Sequence, residues 1–267
     1  MPGMKQKVIV ITGASSGIGE HVAIECAKRG ARGVVLAARR EAELARVAAQ
    51  VTAHGATALT VVADVTRRAD NERVIAEAVA KFGAIDAWIG NAGRGISKMP
   101  SQLDDADLDA MIATNLKSVI YGVQAALVPM RAAKRGHLIA VSSGLSRMPF
   151  APQRAAYSAA KAGMNLYMAS LRIELRAELP DVHVSTVLPG VVATEFGASA
   201  LYGGVDSRKI PNAQPVGEVA ALIADLIERP RAEVYTRPEM AALAARYFGA
   251  EDVGAIEAQP PFTTPPR

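Results

Sequence analysis

Residues 7–19, KVIVITGASSGIG, constrain the fold of this chain more than any other stretch. Val8, Ile9, Val10 and Ile11 make a short, continuous, β-branched run, the pattern of a strand buried on both faces as parallel sheets require. The run ends at Thr12-Gly13, and small residues lead to Gly17-Ile18-Gly19, where a helix is expected to begin. Gly13, Ser15, Ser16, Gly17, Ile18 and Gly19 then form a loop whose backbone N–H groups can approach a phosphate, backed by the positive end of a helix dipole. The spacing, G-x-x-x-G-x-G behind a threonine, differs from the G-x-G-x-x-G dinucleotide fingerprint. It also lacks the Gly-Lys-Ser/Thr ending of a nucleoside triphosphatase loop. The bland alternative is a tight strand-to-helix turn that binds nothing.

Strand and helix alternate for most of the remaining chain. Strands are expected at 33–38, 58–64, 87–91, 136–142, 183–188 and 233–236. Helices are expected at 17–29, 41–54, 68–82, 104–133, 157–179 and 216–229, two closed by a glycine and one by Pro180. Strands joined by helices of this length favour right-handed crossovers, and so a doubly wound parallel α/β sheet of about seven strands with helices on both faces. No linker divides the chain, so residues 1–267 read as one domain. Residues 195–215, rich in Gly, Ala and Ser, fit no element and read as a substrate loop. The tail, 259–267, carries four prolines and reads as irregular.

Half of the residues are apolar and only 4% aromatic, which suits helices packed on a sheet. A net charge of +4 could point to nucleic acid, but the 30 Lys and Arg are scattered among 26 acids without a basic stripe. Cys26 is the single cysteine, which excludes a disulfide framework or a cysteine-based zinc site. His21, His54, His137 and His183 show no metal-ligand spacing and read as ordinary surface or strand-end histidines. Asp104, Asp105, Asp107 and Asp109 read as a helix start rather than a cation site, so no metal is expected. The N-terminal MPGMKQK runs straight into the first strand, leaving no room for a signal peptide, and no apolar run of membrane-spanning length is evident. A cytoplasmic protein without nucleic-acid or membrane partners is expected.

Tyr157 and Lys161 stand four residues apart and share a helix face. A tyrosine, with an ordinary pKa of about 10, is a poor base near neutrality, and a fixed positive charge nearby favours its phenolate. Such a group can pass a proton to or from a substrate oxygen. Ser143, just beyond the fifth strand, can hydrogen-bond that oxygen as charge develops on it. In a parallel sheet these residues and the glycine loop fall at one edge, where ligands bind. Alone, the Tyr-Lys pair reads equally as a partly buried phenol beside a snorkelling lysine.

Together, TGASSGIG, the NAG at 91–93, and VSS followed by YSAAK resemble the short-chain dehydrogenase/reductase family, from about Lys7 to Thr194. The resemblance implies hydride transfer between a nicotinamide cofactor and a ketone or secondary alcohol, with Ser143, Tyr157, Lys161 and Asn115 as catalytic residues. It implies cofactor contacts from the glycine loop, from Asp64 and Val65 at the adenine, from Asn91, Ala92 and Gly93, and from Pro189, Gly190, Val192 and Thr194. Tyr157 and Lys161 would also border the nicotinamide ribose. Two departures stand out: Gly90 replaces an asparagine often found there, and Ser143 lies one residue further from the tyrosine than is usual, leaving Ser142 as the alternative. The second strand ends at Ala38 without the acid that selects NAD(H), and Arg39 and Arg40 follow, which favours NADP(H). The substrate is expected to be a partly apolar carbonyl or alcohol compound, lined by Ile96, Met99, Phe196, Leu201 and Tyr202. A homodimer or homotetramer is implied by resemblance alone. The rival readings are a nucleotide-sensing regulator without turnover and an epimerase or dehydratase; the intact Tyr-Lys pair disfavours the first, and the glycine spacing and the lack of a larger C-terminal substrate domain disfavour the second.

Overall fold

The computed structural model describes residues 3–263. Seven strands form one sheet: β1 (Val8–Thr12), β2 (Gly33–Ala38), β3 (Thr57–Val62), β4 (Ala87–Gly90), β5 (Gly136–Val141), β6 (Val182–Leu188) and β7 (Glu233–Tyr235). Their spatial order is β3-β2-β1-β4-β5-β6-β7, every pair parallel. The order reverses between β1 and β4. That reversal opens a crevice beyond the C-terminal ends of these two strands.

Nine α-helices occur among the described residues: α1 (Gly17–Lys28), α2 (Glu41–Ala53), α3 (Arg68–Phe82), α4 (Asp105–Ile112), α5 (Ser118–Ala133), α6 (Ala155–Glu178), α7 (Val216–Glu228), α8 (Pro238–Phe248) and α9 (Val253–Glu257). Because β1 is buried along its whole length, its alternate residues feed two cores. Ile9 and Ile11 pack with Val22, Leu44, Val47 and Ile223 under α1, α2 and α7. Val8 and Val10 pack with Trp88, Val123, Met164 and Met168 under α3, α5 and α6. A Rossmann-like sheet covered on both faces is therefore observed as expected.

Four points depart from the sequence reading. The helix foreseen at 104–133 is split by a π-helical turn, Ala113–Lys117, between α4 and α5. This continuous run is also long and apolar enough, by length and composition, to cross a membrane, contrary to the sequence reading; half of its apolar window is buried inside the fold, as befits a core helix. Helices α8 and α9 were not foreseen, although Pro238 at the first turn of α8 is a recognised start signal. Of the tail, 259–263 lies within the described residues and 264–267 outside them. Phe262 is not an idle tail residue, since it stacks on Phe150 at 4.9 Å and on Tyr247 at 5.4 Å between ring centres.

Candidate active site

The crevice is built by the glycine loop on one side and residues 91–93 on the other. Asn91 Nδ2 donates to the carbonyls of Thr12 and Gly13 at 3.1 and 3.2 Å, and the amides of Asn91 and Ala92 donate to Thr12 Oγ1. A Cβ on Gly13 would lie 2.8 Å from Ala92 Cα, so only glycine permits this approach. Gly17, with φ +58°, turns the chain into α1 and faces the Thr194 methyl across the groove. The departure at Gly90 has a steric cause: the Trp88 indole occupies the space that a side chain there, or at Gly122 on α5, would need.

Tyr157, at the start of α6, is buried and packs with Ile96, Met111 and Ala156, its ring 5.6 Å from that of Phe196. Burial pushes its phenol up to about 12, while the facing Ser143 hydroxyl and the Arg154 charge pull the other way. Lys161, one turn further along α6, is also buried and donates from Nζ to Val141 O at 2.7 Å. Burial brings its ammonium down to about 8. Its Nζ lies 6.0 Å from the Tyr157 ring centre. The depression of the phenol by Lys161 expected from the spacing is thus not the governing influence; desolvation is.

The two serines separate clearly. Ser143 faces Tyr157 and accepts from Leu145 N at 3.2 Å, whereas Ser142 Oγ turns away to Ser146 Oγ at 3.3 Å. Asn115 sits in the π-helical turn, a distortion that often re-aims a side chain at a functional site. Its Oδ1 accepts from Arg94 N at 3.1 Å, and its Nδ2 donates to Arg94 O and Met111 O at 3.0 and 3.1 Å. Gly93 is the meeting point: a Cβ there would lie 3.0 Å from Asn115 Oδ1 and 3.7 Å from Lys161 Nζ.

A groove of about 250 Å³ runs beside the glycine loop, lined by Ser16, Gly17, Arg40, Thr194 and Glu195 among others. Arg40 donates to Ser15 Oγ at 3.1 Å and to Ser16 Oγ at 2.7 Å, so it bridges β2 to the loop, while Arg39 is exposed beside it. Asp64 is occupied with its own turn, accepting from the amide and hydroxyl of Thr66. Pro189 O accepts from Gly144 N at 2.7 Å, tying the segment 189–194 to the Ser143 turn. The chain's own groups therefore form a strand-edge cleft with the glycine loop at one end and a buried phenol, hydroxyl and ammonium at the other.

The family model for short chain dehydrogenases matches residues 7–201. The chain belongs to the short-chain dehydrogenase family. Like that family, it is an oxidoreductase that works with NAD(P). It is 38% identical over 193 residues to an uncharacterized oxidoreductase of Listeria innocua, covering 72% of this chain and 77% of the relative. It is 36% identical over 198 residues to 11-beta-hydroxysteroid dehydrogenase A of Sesamum indicum, covering 73% of this chain but only 55% of that enzyme. Among solved structures, the alcohol dehydrogenase of Thermococcus sibiricus, complexed with 5-hydroxy-NADP, aligns with a TM-score of 0.74 at 28% identity over 86% of this chain and 95% of its own. A short-chain dehydrogenase/reductase of Burkholderia phymatum in complex with NAD shares the fold at a TM-score of 0.86 over 100% of both chains, with 24% identity.

Within this short-chain dehydrogenase, Ile96, Phe196 and Leu201 gather around Tyr157 as expected. Met99 and Tyr202 do not; both are exposed, and the Tyr202 hydroxyl donates to Asp107 at 2.8 Å. Sequence reasoning missed Arg154, one turn before Tyr157, although a cation at that spacing was visible. It also missed Met240 of α8, whose Cε would crowd any side chain at Gly144. It treated the histidines as isolated, yet His137 and His183 are register partners on β5 and β6, with ring centres 5.8 Å apart.

Proposed function

We propose that this enzyme prefers NADP(H) and interconverts a ketone and a secondary alcohol, with Tyr157 as general acid in reduction and general base in oxidation. The observation that carries this reading is the convergence of Ser143, Lys161 and Asn115 around the buried Tyr157, at the same sheet edge as the glycine loop. When bound, the nicotinamide supplies or takes up the hydride.

The residues fit such a group. The loop 13–19 would hold the diphosphate, Asp64 and Val65 would border the adenine, and Asn91, Ala92, Gly93, Pro189, Gly190, Val192 and Thr194 would flank the nicotinamide end. No acid ends β2, and Arg40, already poised over Ser15 and Ser16, would meet a 2′-phosphate together with Arg39. In reduction, Tyr157 gives its proton to the substrate oxygen while Ser143 donates a hydrogen bond to the same atom. A phenol kept protonated by burial is ready for that step. Lys161 stabilises the phenolate left behind, and Asn115 fixes the backbone at Arg94 beside it. Ile96, Phe196 and Leu201 favour a partly apolar substrate.

Assembly as a homodimer or homotetramer through α5 and α6 belongs to the same reading. Its support is three apolar side chains on these helices, Val128, Leu166 and Ile173, each about 70% exposed.

The test is oxidation of NADPH and of NADH, separately, against a panel of ketones and aldehydes, for the native enzyme and Arg40→Asp. NADPH-dependent turnover is expected, and the variant should lose at least about tenfold in NADPH affinity relative to NADH. Equal losses for both nucleotides would contradict the NADP(H) assignment.

A further inference from the structure

Arg154 is the charged residue of the substrate side that the proposed chemistry leaves without a task. It precedes α6, one turn ahead of Tyr157. Its Nη1 donates to Ile96 O at 3.0 Å. Of five guanidinium N–H donors, this is the single one engaged with a protein group among the described residues. No carboxylate pairs with it among those residues.

Other partly buried arginines in this molecule have a carboxylate or more than one carbonyl partner, although Arg147 Nε is itself buried without a hydrogen-bond partner among the described residues. Arg29 pairs with Glu25 and Asp225, and Arg147 with Glu233. Arg172 spends its donors on Val184 O and Ala232 O, both at 2.9 Å. A half-buried cation left without a counter-charge is costly, and an anionic ligand seated here would offset that cost.

Its surroundings point the same way. The guanidinium packs against two glycines, Gly95 and Gly204. A Cβ on Gly95 would fall 2.6 Å from Nη1, and one on Gly204 2.9 Å from Nη2. Phe196 and Ala200 adjoin the same place, each within 3.3 Å of that position on Gly95. These walls come from the loop after β4 and from 195–215, the two segments that flank the Tyr157 phenol. The charge is near enough to bear on that phenol.

We propose that Arg154 anchors a carboxylate carried by the substrate, so that the natural substrates are oxo acids in reduction or hydroxy acids in oxidation. The carbonyl half of this assignment rests on the oxidoreductase reading above; the anion half rests on Arg154 alone. A planar guanidinium fork with unengaged donors matches a carboxylate bidentately, while the apolar walls accept the carbon chain between the two groups. Arg154 is thereby a specificity-determining residue, and Tyr157 remains the proton donor.

The experiment compares a set of oxo acids of different chain length with their methyl esters, on the native enzyme, Arg154→Gln and Arg154→Lys. Two readouts are taken: kcat/KM with NADPH, and calorimetric binding of the same acids and esters. The native enzyme should favour at least one acid over its ester by about tenfold or more, carried mainly in KM. Arg154→Gln should erase that ratio, and Arg154→Lys should keep part of it. A native preference for every ester, or an equal fall for acid and ester in Arg154→Gln, would overturn the proposal and leave Arg154 as a strut holding Ile96. Acid-selective binding that depends on Arg154, without turnover of any carbonyl compound, would uphold the anchor while removing the oxidoreductase reading.

Discussion

At the residue scale, burial rather than neighbouring charge sets the electrostatics of the Tyr157–Lys161 pair. The Tyr157–Lys161 pair was legible from its spacing, but the pKa directions were not, because spacing says nothing about desolvation. His137 shows the same effect away from the site. It is buried in β5, with Nε2 at 2.7 Å from Ser185 Oγ, and burial, aided by His183 and Lys7, brings its imidazole down to about 3. The unfolded chain binds a proton below about pH 6.5 that the fold excludes. Stability is therefore present above that value and falls as the pH drops toward about 3, by up to roughly 1.4 kcal/mol per unit. Urea midpoints of the native protein and His137→Gln across this window should differ in slope, the variant being flatter; parallel slopes would contradict a buried neutral imidazole.

Elements were legible where their period was clean and flanking residues marked their ends. Helix α3 begins at Arg68 and ends at Phe82 before Gly83, the bounds its pattern suggested. The π-helical turn was not legible, since nothing in the sequence of 104–133 marks where one extra residue enters the helical ladder. Its consequence is large: it directs Asn115 toward Arg94 and Gly93. The loop pair that walls the substrate side was seen only in outline. Its order comes from long-range ties, such as Ser97 Oγ donating to Gly203 O at 2.6 Å and Tyr202 to Asp107. The packing of α5 on β4 gives a sharper expectation. A side chain at Gly122 would collide with the Trp88 indole inside a closed core. Gly122→Ala should cost about 1–3 kcal/mol by chemical denaturation, and Trp88→Phe should restore part of it. An unchanged midpoint would mean that this interface is looser than described.

For the whole molecule, alternating patterns and the glycine loop sufficed to foresee a doubly wound sheet, because each strand run, helix and stop signal agreed with the same topology. The C-terminal part escaped because α8 and α9 are short and bury little: Ala244 is the one buried residue of α8, and α9 has none. Their role becomes visible only in three dimensions, where Met240 meets the Ser143 turn and Phe262 covers Phe150. The exposed apolar side chains of Val128, Leu166 and Ile173 make a self-association expectation. Light scattering of the full chain at micromolar concentration should give a dimer or tetramer, and a monomer would contradict it.

Proton transfer by Tyr157 is tested most directly by Tyr157→Phe, which removes one oxygen and leaves the ring packed against Phe196. Turnover with NADPH and a ketone that the native enzyme reduces should fall by at least about a hundredfold, with NADPH affinity kept within a few-fold. Near-native turnover in the variant would contradict the assignment of Tyr157 as the acid.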